Sequence, residues 1–143
     1  MRNIFMSLVV IFGSLFSGCA SGLIGTLPEV TNYSNASEII IIRPFNFEAH
    51  GISAYVVFDN NDIFAIRIVQ YAKFPAPPGN HTIGVRFPGF PTNNIAILLA
   101  PKTKYYYCVS AGFNDISLIP IIEEEALPYI KDSYYMSLDN NAK

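Results

Sequence analysis

The sequence predicts an all-β protein, an antiparallel two-sheet sandwich of about seven to eight strands, and three observations carry that prediction. From Glu38 onward, short runs of β-branched and aromatic residues follow one another, as in "EIIIIR" and "KYYYCVS". Clusters of Asn, Asp, Pro and Gly part these runs every 8 to 12 residues or so, the spacing of packed antiparallel strands. Helical signals are scarce over the same stretch.

In order, the expected strands are Glu38 to Arg43, Ile52 to Phe58, Ile63 to Val69, Tyr71 to Ala76, His81 to Phe87, Asn94 to Ala100, Lys104 to Ser110 and Ile116 to Ile122. "DNND" at Asp59 to Asp62 supplies side chains that tolerate left-handed backbone, so the runs on either side should pair as a hairpin. In "APPGN", Pro77 and Pro78 fix φ at a corner and Gly79 takes the positive φ that a side chain resists. "FPGFPTNN" is a longer loop expected to place Phe87 and Phe90 at its rim. After Ile122, "EEEALPYIKDS" suits one short helix interrupted at Pro128.

The chain opens differently. Met1, Arg2 and Asn3 bring one positive charge, and Ile4 to Phe16 is an apolar run broken only by Ser7, Gly13 and Ser14. A membrane-spanning helix needs roughly 20 apolar residues, whereas a charged start, a shorter apolar core and small residues at the exit describe a secretory signal peptide. Residues 1–18 are therefore set aside from the fold. Their exit, Phe16-Ser17-Gly18-Cys19, resembles the lipobox of bacterial lipoproteins, with Phe16 where leucine is usual and Leu15 one position early. The resemblance implies cleavage between Gly18 and Cys19 and a covalent lipid on the Cys19 thiol. Cleavage after Ala20, releasing a freely secreted domain, is the competing reading. Ala20 and Ser21 lack the aspartate that, by resemblance to enterobacterial sorting, retains a lipoprotein at the inner membrane, so the outer membrane is the expected address in a source that has one.

Removing residues 1–18 leaves 125 of the 143, enough for one core. Residues 19–37, "CASGLIGTLPEVTNYSNAS", show neither strand alternation nor helical period and read as the anchor cysteine and a flexible tether. Residues 38–131 form the expected sandwich domain, and 132–143 a polar C-terminal tail. Loss of Arg2 leaves 8 Lys and Arg against 11 Asp and Glu, a formal charge of −3. Nucleic acid is not an expected partner, because phosphate binding needs clustered bases and only Lys102 and Lys104 lie close together.

"IIIIRP", "YVVFDN", "PAPPGNHTI", "LAPKTKYYYCVSAGF" and "LIPIIEEEA" follow one another in an order that resembles a family of bacterial lipoproteins known only as a domain of unknown function, over roughly Ile39 to Leu127. "PPGNHTI" is also similar to the turn of PEGA-type surface repeats. The family resemblance implies a small β-sandwich behind a lipobox, without metal or sugar, and no established activity.

Chemistry-bearing residues are few. Cys108, the cysteine left over, has no neighbouring base in the sequence and reads as a small strand hydrophobe. His50 and His81 have no zinc-ligand spacing, and "DNND" lacks the glycine and final glutamate of a calcium loop. No nucleophile elbow or phosphate loop is present, so no catalytic residue, metal or cofactor is assigned beyond the lipid on Cys19. "NYS", "NAS" and "NHT" match the N-glycosylation pattern, which in a bacterial envelope is chance. In Tyr105, Tyr106 and Tyr107, strand geometry turns the middle ring away from its neighbours. Either one side enters the core, or Tyr105 and Tyr107, with Phe87 and Phe90, form a binding surface for glycan or peptide. The expected function is a non-enzymatic, lipid-anchored envelope protein that binds or packs within an assembly, its partners being membrane lipid and an envelope protein or glycan. The alternative is a module binding cell-wall glycan or peptide.

Overall fold

The computed structural model describes residues 21–49 and 51–139. The expected signal peptide, the cleavage pair Gly18 and Cys19, and His50 lie outside the described residues. The strands are β1 (Gly22–Leu23), β2 (Ser37–Arg43), β3 (Ala54–Phe58), β4 (Asn61–Ile66), β5 (Gln70–Ala76), β6 (Gly79–Arg86), β7 (Asn93–Leu99), β8 (Lys104–Ala111), β9 (Ile116–Ile121) and β10 (Tyr134–Tyr135), with one helix, α1 (Glu123–Lys131). They form two five-stranded sheets ordered β1-β4-β3-β6-β7 and β10-β5-β2-β8-β9. This is the two-sheet, all-β sandwich that the sequence predicts. It departs from a wholly antiparallel one in two pairs, β2 with β8 and β5 with β10, which run parallel.

The core lies between the sheets and follows the two-residue period of each strand. Ile39 and Ile41 of β2 face Val56, Phe64, Ile83 and Val85 across it. The unbroken "IIII" has a physical cause: β2 is central and covered on both faces. Ile40 and Ile42 point the other way and pack, with Ala126 of α1, into a second apolar cluster. The acids Glu123, Glu124 and Glu125 occupy the first turn of α1 and Lys131 the last, as the helix dipole favours. The helix is not interrupted at Pro128. The missing N–H would have met the carbonyl of Glu124, an exposed residue on the solvent side of the helix, where losing an intrahelical partner costs least.

The "DNND" hairpin forms as expected. Phe58 pairs with Asn61, and the two connecting residues, Asp59 and Asn60, both take positive φ, 46° and 64°. That is the primed turn whose twist suits a two-residue hairpin. Gly79 has positive φ, 122°, at the "PPGN" corner. There, however, β5 and β6 belong to different sheets, so the corner carries the chain from one layer to the other. The strand expected to reach Val69 stops at Ile66, because Val69 takes φ 58° and Gln70 Oε1 accepts the Arg67 N–H (2.8 Å).

Three further expectations are corrected. Residues 21–37 do not run as a free tether: Gly22 and Leu23 pair with Ala65 and Phe64, and the Ile24 and Gly25 amides donate to the Ile63 carbonyl. Gly25 permits this approach, since a β-carbon there would fall on the Asp62 carbonyl oxygen. The segment after Lys131 is not a free polar tail, because Tyr134 and Met136 donate to Val69 and Tyr71, and Met136 and Leu138 enter the core. Phe87 is not at a rim. It continues the inward alternation of Ile83 and Val85 and is 6% exposed, whereas Phe90 beyond the turn is exposed.

Candidate functional site

Strand directions gather four connections at one end of the sandwich. β2 and the parallel β8 finish together there, and Arg43 and Tyr55 register with Gln70 and Arg86. The loops 44–53, 67–69, 87–92 and 112–115 therefore share this end. Polar side chains brace them. Arg43, 2% exposed, donates from Nη1 to Ile66 O (2.8 Å) and from Nη2 to Ala49 O (3.0 Å), linking a strand of one sheet to a strand of the other and to a loop. Desolvation pulls its guanidinium down to about 10, still charged near neutrality. Asn46 Nδ2 donates to Ala111 O and Asn93 Nδ2 to Ile116 O (3.1 Å).

On this frame stand large apolar side chains that face outward: Phe45, Phe47, Ile52, Phe90 and Phe113 are all exposed, Phe47 and Phe113 by about 80%. Phe45 and Phe47 meet edge to face at 4.8 Å. A cleft of about 360 Å³ opens among Ile52, Phe87, Pro88, Phe90, Phe113 and Asn114. Single exposed hydrophobes need no explanation, but the Phe45–Phe47 pair and the Ile52, Phe90 and Phe113 side chains around the cleft bring exposed apolar groups from three separate loops to one end, as interaction surfaces do.

The opposite end carries the other turns and an open groove of about 640 Å³ beside Lys102, Lys104, Tyr106, Ile122 and Glu123. The tyrosines do not form the aromatic platform. Tyr107 is 4% exposed and belongs to the core, and Tyr105, on the same face, packs against that core. Its hydroxyl accepts the Ala100 N–H (2.8 Å), closing the turn into β8. Tyr106 faces α1 and donates to Glu123 Oε1 (2.9 Å). Burial, then the Glu123 hydrogen bond and the nearby carboxylates, push its phenol up to about 12.

Cys108 lies half-buried on the outer face of its sheet beside Ile119, Ile121 and Pro128, and burial pushes its thiol up, away from the reactive thiolate. Among the described residues, no group of three or more His, Cys, Asp or Glu is placed to hold a metal ion, and no helix is long and apolar enough to cross a membrane. Sequence reasoning singled out Phe90 but missed Phe45, Phe47, Ile52 and Phe113. The signal available for Phe45, Phe47 and Phe113 was an aromatic beside turn residues, outside any alternating run. No protein-family model, curated protein or solved structure matches this chain.

Proposed function

We propose that this chain is a lipid-anchored bacterial envelope protein whose β-sandwich works as a non-enzymatic binding or structural module. Supporting it are the apolar run from Ile4 to Phe16 and the small residues Ser17 and Gly18 before Cys19. The observation that carries the reading is the spacing to the fold: β1 begins at Gly22, so cleavage before Cys19 spares every described element. Three residue steps separate Cys19 from Gly22, at most about 10 Å of extended chain. The lipid would hold the sandwich against the membrane rather than on a long leash. Two acyl chains give stable attachment where one is marginal. Expression of the full chain and Cys19→Ser in a bacterium fed labelled fatty acid tests this. Label and membrane retention on the parent, both lost in the variant, are expected; an unlabelled, soluble parent overturns the reading.

A second reading, binding of cell-wall glycan or peptide, is favoured by the groove beside Lys102, Lys104 and Tyr106, which lies at the end of the sandwich opposite Ser21. Retention of the full chain on purified peptidoglycan, weakened by Lys102→Glu with Lys104→Glu, is its expected signature, and no retention sinks it.

A further inference from the structure

We infer that the aromatic loop end is a membrane-docking surface, with Phe45, Phe47, Phe90 and Phe113 seated in the lipid headgroup and upper acyl region. The inference rests on the anchored reading for the position of the bilayer, and adds which end of the sandwich meets it and through which side chains. β1 runs antiparallel to β4, so its start lies beside the end of β4. Ser21, the first described residue, accepts a hydrogen bond at Oγ from Gln70 Nε2 (3.3 Å), and Gln70 registers with Arg43 at the base of the aromatic loops. The chain thus enters the sandwich at the same end as the exposed rings. The apolar run from Ile4 to Phe16 and Cys19 lie immediately before that point.

Short leash and exposed rings fit one occupant. A bilayer reached through about 10 Å of chain must pass close to this end, and aromatic side chains partition favourably into its interface. A soluble partner would not explain why the exposed rings and the point of chain entry share one end of the sandwich. Charges here are mixed, Arg67 and Lys131 against Glu48, Asp115 and Asp132. Docking is therefore through the rings, and its depth should not change with the content of anionic lipid.

The chain contains no tryptophan, so Phe90→Trp and Phe113→Trp each create a single fluorescent reporter. Tyr33→Trp, at an exposed turn of the opposite end, is the control. Each full-length variant, produced with labelled fatty acid, is reconstituted into phosphatidylethanolamine and phosphatidylglycerol vesicles with or without brominated acyl chains. The expected result is blue-shifted emission and at least twofold quenching by bromolipid at residues 90 and 113, with none at 33. An acylated protein whose reporters at 90 and 113 are unquenched overturns the docking surface and leaves the anchor standing. Quenching without acyl label supports the surface and overturns the anchor; neither label nor quenching overturns both. Equal quenching at residue 33 overturns the assigned orientation. A blue shift already present without lipid and insensitive to bromolipid puts a second copy of the chain on the patch and overturns the bilayer as its occupant.

Discussion

His81 holds Asp59 across the far end of the sandwich: Nδ1 lies 2.7 Å from Asp59 Oδ2, while Nε2 lies 2.8 Å from the Pro77 carbonyl oxygen. The other carboxylate oxygen of Asp59 accepts the Thr82 N–H at 2.9 Å. Two turn motifs distant in sequence, "DNND" and "PPGNHT", are thereby tied into one corner. Both partners of His81 are acceptors, so a neutral ring donates to one of them and a doubly protonated ring to both. Asp59→Gly keeps the positive φ free of strain and removes the carboxylate. We expect it to cost about 1–3 kcal/mol. In a double-mutant cycle with His81→Ala, urea unfolding should show coupling of at least about 0.5 kcal/mol; strictly additive losses would mean the contact is incidental.

At the same corner, Gly79 has φ 122° and a β-carbon built on it meets no atom within 4 Å. The constraint is therefore in the backbone and not in space. Gly79→Ala and Gly79→Val should destabilise the domain by similar amounts, about 1–3 kcal/mol. A much larger loss for valine in thermal unfolding would show that side-chain crowding governs the position, and no loss for either would remove the conformational account.

Much of the sandwich was legible because its strands obey local rules. The alternating "NIAILLA" sends Ile95, Ile97 and Leu99 toward the core, and "DNND" carries the turn chemistry of its own hairpin. Parallel pairing of β2 with β8 was not legible, since the registers of Ile39 with Tyr105 and Ile41 with Tyr107 join segments far apart in sequence. The short edge strands were hidden for another reason. Gly22–Leu23 and Tyr134–Tyr135 are two residues each, too brief for a period, and they are held by docking on β4 and β5. The aromatic loop end shares that difficulty: Phe45, Phe90 and Phe113 come from separate connections, and topology alone brings them to one place.

Arg43 offers a test of how that loop end is braced. Its planar guanidinium forks between carbonyls of Ile66 and Ala49, and among the described residues no carboxylate forms an ion pair with it. A lysine ammonium keeps the charge but lacks the fork. Arg43→Lys should lose about 2–3 kcal/mol in denaturant unfolding, because a buried carbonyl is left unpaired while the desolvation cost remains. Hydrogen exchange should rise first in residues 44–53. A variant as stable as the parent would show that lysine or water satisfies both carbonyls.

Tyr106 should make stability fall in alkali. Its folded-state value is pushed up to about 12 by burial, the Glu123 hydrogen bond and neighbouring carboxylates, against roughly 10 in an unfolded chain. Tyr107 is raised as well, first by burial and then by Tyr105. The sign follows from linkage: below pH 10 the phenol is protonated in both states and its stabilisation is fully present. As pH rises through 10 toward 12, the unfolded chain loses the proton first, so the unfolded state binds fewer protons and stability declines. Comparison with Tyr106→Phe isolates the phenol. Unfolding free energies measured from pH 8 to 12 should fall less steeply in the variant than in the parent, and ultraviolet titration of the folded parent should show one more late-ionising tyrosine than the variant. Identical pH profiles for the two proteins would show that the Tyr106 hydroxyl ionises as freely in the fold as in the unfolded chain, and that its tie to Glu123 contributes nothing to the packing of α1 on the sheet.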